Sequence, residues 1–281
     1  MLTDLERDLT PREYELFRAL VYEKSGINLG SQKQQLVRAR LGKRLRAGSF
    51  KSYRAYYEFV KNDASGAELS ALIDAISTNT THLFRERQHF DFLARTLRRQ
   101  LDDRAWCQAN RSLRLWSAGC SSGDEPYSIA MIVDDVVGSH MDWRVLATDI
   151  SNQVLERARA GRYESHRLGT VPPNFRQRYF HRPAGLERTH VQVMPALRDR
   201  VAYAHFNLMA ERFPFRHGFN YIFCRNVMIY FDRATQERLV ERLAGQLRPG
   251  GYLLIGHSES LNSIRHALRY VQPTIYQRVG L

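Results

Sequence analysis

Between an apolar run, Leu113 to Ala118, and a helical apolar pattern beginning at Tyr127 lies the turn Gly119-Cys120-Ser121-Ser122-Gly123-Asp124-Glu125. A strand, a small-residue turn and a helix start are what a nucleotide-type ligand needs, since glycine admits close backbone approach and the helix start offers unpaired N–H groups. The dinucleotide spacing G-x-G-x-x-G is missing, however, and so is the GK[ST] phosphate cradle. Asp124 and Glu125 would repel a pyrophosphate at the helix start. A cationic cofactor without phosphate fits better, and S-adenosylmethionine (SAM) carries both a sulfonium and an amine. Thirty residues past Gly119, at the end of the run Val145-Leu146-Ala147-Thr148, comes Asp149. An acid there can accept hydrogen bonds from both ribose hydroxyls. NAD uses the same arrangement, so this pair alone leaves both cofactors open.

The elements that must position these residues alternate from Leu113 onward. The runs LRLWSA, WRVLATD, FNYIFCRN and YLLIG read as strands. Helices from about Glu125 to Val137, from Ser151, and from Asp232 separate them, and the tail LRYVQPTIYQRV suits a closing hairpin. Such alternation predicts an α/β domain with a largely parallel sheet. Between Gly161 and Phe206 the rhythm breaks, and the short runs HVQV and RVAYAHF predict an inserted antiparallel β-subdomain at about residues 162–206.

Residues 1–80 read as an all-helical domain. Thr10-Pro11-Arg12-Glu13 combines a capping box with proline at the first helical position, and Ser65-Gly66-Ala67-Glu68 predicts a second box. A helix from Ser31 to Ala47 has no acidic residue. On it Lys33, Arg40 and Arg44 fall within about 40° of one another, bordering the apolar stripe, which predicts a face for an anionic partner. Arg38 and Arg46 point elsewhere on the wheel.

Composition sets outer bounds. The chain has 281 residues and a formal charge of +13 from 42 Lys+Arg against 29 Asp+Glu, nearly all of the cations being arginine. That excess points to an anionic partner, whether nucleic acid, acidic protein or membrane face. No apolar run approaches the ~20 residues of a transmembrane helix, and the N-terminus lacks the pattern of a secretory signal. Three widely spaced cysteines, Cys107, Cys120 and Cys224, form neither a disulfide framework nor a zinc site. The expectation is a cytoplasmic protein.

The ordered motifs STNTTHLFRERQHF (77–90), WSAGCSSGDEPYSIAM (116–131), LATDIS (146–151), FNLM (206–209), FCRNVMIYFD (223–232) and LLIGHSES (253–260) span nearly the whole chain. In this the sequence resembles the CheR family, SAM-dependent methyltransferases that esterify glutamates on bacterial chemoreceptors. The resemblance implies a Rossmann-like SAM methyltransferase domain over 81–281 behind a substrate-binding helical domain over 1–80. It further implies that Asn79, Thr81 and Arg85 border the SAM pocket, with Gly119 and Glu125 at the methionine end and Glu125 receiving the amine. Asp149 would hold the ribose, and Asn207 and Leu208 the adenine. Arg225, Asn226 and Tyr230 would complete the pocket. Arg85 and Tyr230 are the expected catalytic positions, and neither a metal nor a cysteine nucleophile is implied. Lys33, Arg40 and Arg44 would follow the anionic track of receptor methylation helices, with the protein acting as a monomer and meeting the membrane only through receptors.

One departure concerns the tether that some family members make to a receptor C-terminal pentapeptide, added as a strand to the β-subdomain. Those members carry a glycine-flanked loop, whereas here His181-Arg182-Pro183-Ala184-Gly185 places proline at the first glycine. Proline lacks the N–H and fixes φ, so the expectation is a pentapeptide-independent enzyme. A nucleic-acid methyltransferase is disfavoured. Pro172-Pro173 is followed by Asn174 rather than an aromatic, and Cys224 follows Phe223 rather than proline. A non-catalytic SAM-binding regulatory module is the remaining alternative, and the presence of both Arg85 and Tyr230 argues against it.

Overall fold

The computed structural model describes residues 8–77 and 79–280, so the non-secretory reading of the N-terminus falls partly outside the described residues. Four helices come first: α1 (Pro11–Ser25), α2 (Gln34–Ala47), α3 (Tyr53–Asn62) and α4 (Ala67–Ile76). Helix α1 opens with the predicted box. Thr10 Oγ1 accepts from the Glu13 N–H at 3.3 Å, and the Glu13 carboxylate accepts from the Thr10 N–H at 3.0 Å. The second predicted box does not form. Asp63 accepts the Glu68 N–H at 2.8 Å, and Gly66 occupies the N-cap. The Glu68 carboxylate turns inward, accepting from Tyr56 Oη at 3.0 Å and pairing with Arg44. An ionised carboxylate from Asp63 outcompetes the Ser65 hydroxyl for the cap, while Glu68 is drawn away by the cation. Phe17, Val37, Leu41, Leu45, Tyr56 and Leu72 form the apolar interior shared by these helices.

The rest of the chain runs α5 (Gln88–Asp102), α6 (Arg104–Ala109), β1 (Ser112–Ala118), α7 (Asp124–Val136), β2 (Asp142–Asp149), α8 (Asn152–Ala160), β3 (Arg162–Glu164), α9 (Pro173–Tyr179), β4 (Phe180–His181), β5 (His190–Val193) and α10 (Pro195–Arg198). It ends with β6 (Val201–His205), β7 (Phe219–Cys224), α11 (Arg233–Gln246), β8 (Leu247–Ile255), β9 (Leu268–Gln272) and β10 (Ile275–Arg278). Ser151 and Asp232 cap α8 and α11 as their sequences predict. The main sheet has seven strands in the order β6-β2-β1-β7-β8-β10-β9. Its first five are parallel, and β10 and β9 close it as an antiparallel hairpin. The order reverses at β1, where the chain winds first toward β2 and β6 and later returns to β7 on the other side. In open α/β sheets that reversal leaves a crevice at the carboxyl ends of the strands, where ligands bind.

Buried Trp116 on β1 anchors one face of the sheet, with Phe215 and Phe219 at ring distances of 4.8 and 5.3 Å and its indole N–H donated to Thr148 Oγ1 at 2.9 Å. The inserted antiparallel sheet is present. It comprises three strands, β3, β5 and β4, with HVQV as the central one. The run RVAYAHF is not part of it. As β6, Val201–His205 pairs in parallel with β2 from Val145 to Asp149 at the edge of the main sheet. A five-residue alternating run with one covered face looks the same in either sheet, and only its parallel pairing with β2 separates the two.

The helical unit docks through the end of α1. Asn207 Nδ2 donates to the Lys24 carbonyl at 2.7 Å, the Asn28 N–H donates to the Tyr230 carbonyl at 2.8 Å, and Tyr22 Oη donates to the Asp232 carboxylate. Gly26, at φ +73°, lets the chain turn where a Cβ would lie 2.6 Å from the Met209 sulfur. Among the described residues no helix is long and apolar enough to cross a membrane.

Candidate active site

A cavity of about 420 Å³ opens at the reversal point, between the ends of β1, β2 and β7 and the helical unit. Its lining contains Asn79, Thr81, Arg85, Gly119, Glu125, Asp149, Asn207, Leu208, Arg225, Asn226 and Tyr230. These residues are far apart in sequence and meet only through the fold. The predicted basic helix splits into a 3-10 turn, Ser31–Lys33, and α2; Lys33 on the turn and Arg40 on α2 line the cavity too, whereas Arg44 does not.

The turn after β1 is set by backbone geometry. Gly119 has φ +86°, and a Cβ there would lie 2.4 Å from Val227 Cγ2. The N–H groups of Gly119 and Cys120 both donate to the Thr148 carbonyl, at 2.8 and 2.9 Å, tying the turn to the end of β2. Ser121, with φ +49°, then turns its N–H onto Asp149 Oδ2 at 2.8 Å, and Ser151 donates its N–H to Oδ1 at 3.0 Å. Two fixed donors thus aim the carboxylate of Asp149. Burial nevertheless pushes its pKa above the ordinary value.

Asp124 and Glu125 are adjacent but face different ways, being about 100° apart at the start of α7. Asp124 is fully buried away from the cavity and is held by Arg167 of the insert at 2.6 Å and by Ser122 Oγ at 2.7 Å. Glu125 lines the cavity, accepting from Ser117 Oγ at 2.6 Å and from Arg225 Nη1 at 3.0 Å. Burial raises the Glu125 pKa, and Arg225 opposes that rise. Only one member of the acidic pair therefore serves the site.

Arg225 is the hub. Its side chain is 2% exposed and reaches Glu125 Oε2 at 3.0 Å, Glu86 Oε2 at 3.0 and 3.3 Å, and the Arg85 carbonyl. It binds the loop after β7 to the 79–86 segment, a link that sequence spacing does not disclose. Glu86 and Phe84 on that segment have φ of +58° and +56°, and Asn226 next to Arg225 has +57°. Such left-handed non-glycine residues carry strain and gather where the surrounding structure over-determines the backbone. Glu259 supplies part of that determination. It is buried and accepts the N–H groups of Gly256 at 2.6 Å, Asn226 at 3.0 Å and Ile229 at 3.3 Å.

The remaining residues hold the segment between the two units. Ser121 Oγ donates to the Asn79 carbonyl at 2.9 Å, Arg167 to that of Thr81 at 3.2 Å, and Arg85 Nη1 to that of Thr80 at 3.1 Å. The Asn207 amide is spent on Lys24 and on the Met209 N–H, so this residue borders the cavity while its side chain clamps α1. Lys33 Nζ lies 5.5 Å from the Tyr230 ring centroid. Arg40 donates to the Ser77 carbonyl at 2.9 Å and to that of Ile76, beside the start of the 79–86 segment. Arg44 is paired with Glu68 inside the helical unit. Residues that sequence reasoning missed are Glu86, Ser117, Arg167 and Glu259. The RERQHF and GHSES motifs hold two of them.

A buried carboxylate (Asp149) and a largely covered one (Glu125), no lysine in the turn and left-handed glycine at the end of β1 fit a cationic, ribose-bearing cofactor. Together with the strand order they define a SAM-dependent methyltransferase of the Rossmann-like α/β class. Residues 79–277 match the CheR methyltransferase SAM binding domain, and residues 12–77 match the CheR methyltransferase all-alpha domain. The chain is similar to a chemotaxis protein methyltransferase of Borreliella burgdorferi, 38% identical over 278 residues, covering 98% of this chain and 97% of that relative. It is also similar to chemotaxis protein methyltransferase 2 of Pseudomonas aeruginosa, 39% identical with 95% of this chain and 93% of the relative covered. The Escherichia coli chemotaxis protein methyltransferase is 36% identical, with 95% and 91% covered. The chain belongs to the CheR methyltransferase family.

Proposed function

We propose that the protein transfers the methyl group of SAM to glutamate side chains on the cytoplasmic helices of chemoreceptors, forming methyl esters. The observation that carries this reading is a single cavity lined both by the carboxylates Asp149 and Glu125 and by the cations Arg85, Lys33 and Arg40. Asp149 suits a ribose diol and Glu125 a cofactor amine, while the cations suit an incoming carboxylate. SAM supplies, when bound, a methyl group on a positively charged sulfur that a carboxylate oxygen can attack. A glutamate with a pKa of about 4.3 is already ionised at neutral pH, so no general base is required. The chain's contribution is to orient the carboxylate and to exclude water from it. Arg85, itself steadied by the Thr80 carbonyl, orients that carboxylate, and Tyr230 sits across the cavity wall with its ring under Lys33.

In this reading the helical unit over 1–80 receives the receptor helix. Lys33 is its foremost contact, because Arg44 is engaged with Glu68 and Arg40 steadies the end of α4. The enzyme acts as a monomer in the cytoplasm and needs no pentapeptide tether. Strand β4, the outer strand of the small sheet on that side, has only two residues, and Pro183 follows it without an N–H to donate. The test is incubation with tritiated SAM and a receptor cytoplasmic fragment, followed by alkaline release of labelled methanol. SAM binding without base-labile counts would refute glutamate esterification. Micromolar binding of a receptor tail peptide would refute the tether-free reading.

A further inference from the structure

Behind Arg225, outside the lining of the cavity except through that arginine, Glu86 meets two histidines from distant motifs. His89 follows it by three residues on α5, and His257 comes from the GHSES motif after β8. His89 Nδ1 lies 3.5 Å from Glu86 Oε2, and His257 Nε2 lies 4.0 Å from the same oxygen. One donor atom from each residue falls within 4.8 Å of the other two.

The tautomer of His89 follows from its neighbour. The Thr274 hydroxyl donates its hydrogen to the Pro273 carbonyl at 2.6 Å, so its oxygen accepts from His89 Nε2–H at 2.7 Å. Nδ1 of the neutral ring then carries a lone pair. It is buried, 1% of the side chain being exposed, and it has no hydrogen-bond partner among the described residues. A lone pair 3.5 Å from a carboxylate oxygen, with no hydrogen between them, is an arrangement that a cation resolves.

We propose that Glu86, His89 and His257 form a binding site for a divalent transition-metal ion of the zinc class, and that the ion competes with Arg225 for Glu86. Bonds of about 2.0–2.2 Å in a tetrahedral set place donor atoms roughly 3.3–3.5 Å apart, so small side-chain adjustments bring these three into range. Two imidazoles and a carboxylate suit zinc better than calcium or magnesium. The Nε2–H bond to Thr274 supplies the outer support that metal-ligating histidines usually have. His257 is 45% exposed and gives the ion a route in. Glu86 Oε2 also accepts from Arg225 at 3.0 and 3.3 Å, and Arg225 reaches Glu125 at the cofactor cavity. An ion on Glu86 therefore loosens the arginine that steadies the cofactor end, making the site inhibitory.

The experiment titrates zinc chloride into the metal-stripped full-length chain against a chromogenic chelator, beside the His257→Ala variant. That variant removes a half-exposed ring and keeps the His257 N–H bond to Glu86, so the fold is retained. One site per chain is expected, weakened at least about tenfold by the substitution. Cobalt in place of zinc should give the absorption of a tetrahedral site in the parent and not in the variant. Equal zinc affinity in both proteins places the ion on other histidines and overturns the site. SAM affinity, measured by calorimetry with and without one equivalent of zinc, should fall about fivefold or more in the parent alone. An unchanged SAM affinity at full zinc occupancy overturns the competition for Glu86.

Discussion

Replacing Arg225 with methionine tests whether one cation holds the site together. The side chain is 2% exposed, and its partners Glu86 and Glu125 are each 11% exposed. Methionine fills a similar length but leaves two largely desolvated carboxylates facing each other. Removing one partner from a buried ion pair costs about 3–5 kcal/mol, because the remaining charge stays buried and unpaired. For a chain of this size each kcal/mol shifts the melting temperature by about 2–4 °C, so the expected drop is about 6–20 °C. Thermal and urea melts measure it. Adding Glu86→Gln removes one orphaned charge, and the double variant should regain at least about 1 kcal/mol relative to the sum of the two single effects. SAM affinity should stay low in both, since Glu125 has lost the cation that opposes its protonation. A single variant melting within about 2 °C of the parent, or strictly additive effects, would refute the hub.

Gly119→Ala forces a side chain into a left-handed backbone at φ +86° and presses it against Val227. A loss of about 1–3 kcal/mol is expected, together with weaker SAM binding, measured by urea melts and calorimetry. Burial raises the pKa of both Asp149 and Glu125 above the ordinary 3.8 and 4.5. A cationic cofactor prefers their ionised forms, so its affinity should fall with pH as those raised values are approached, while these two groups by themselves add stability to the cofactor-free fold over the same fall. Calorimetry on acidification checks the first half, and cofactor-free melts of the parent beside Asp149→Asn the second; affinity that rises on acidification would contradict the assignment. Lys33→Glu should raise the KM for a receptor fragment in a salt-dependent way and leave SAM affinity intact, because among the described residues its ammonium meets the Tyr230 ring and no carboxylate. An equal loss of SAM affinity would make Lys33 part of the cofactor wall.

How much of this was legible in the sequence depends on the range over which each residue acts. Thr10, Ser151 and Asp232 cap helices through hydrogen bonds to residues three positions away, and local spacing discloses them. The runs LRLWSA, WRVLATD and FNYIFCRN were equally plain, whereas β3 and β4 are too short to show an alternation and β8 begins at Leu247, ahead of the YLLIG run. Ser65 failed because two acceptors competed for the same helix start, and the winner, Asp63, lies just upstream. RVAYAHF failed because alternation states which face is covered without naming the partner strand. Asp124 and Glu125 read as a unit in sequence, yet one is neutralised by Arg167 from 43 residues away and the other turns to the cavity.

Glu86 was the hardest to see. Its partners Arg225 and His257 lie 139 and 171 residues away. Its left-handed φ of +58° is what turns the carboxylate toward them, and no residue type announces that conformation in a glutamate. The strain has a consequence for the cofactor site. The Glu86 carboxylate is held there by Arg225, the Asn226 amide and the His257 N–H, and the left-handed backbone loses that restraint once those partners are removed. The 79–86 segment joins the helical unit to the sheet, so that loss carries to both. Cofactor affinity and receptor recognition should then weaken together in any variant that releases Glu86, whereas changes confined to Lys33 touch recognition alone.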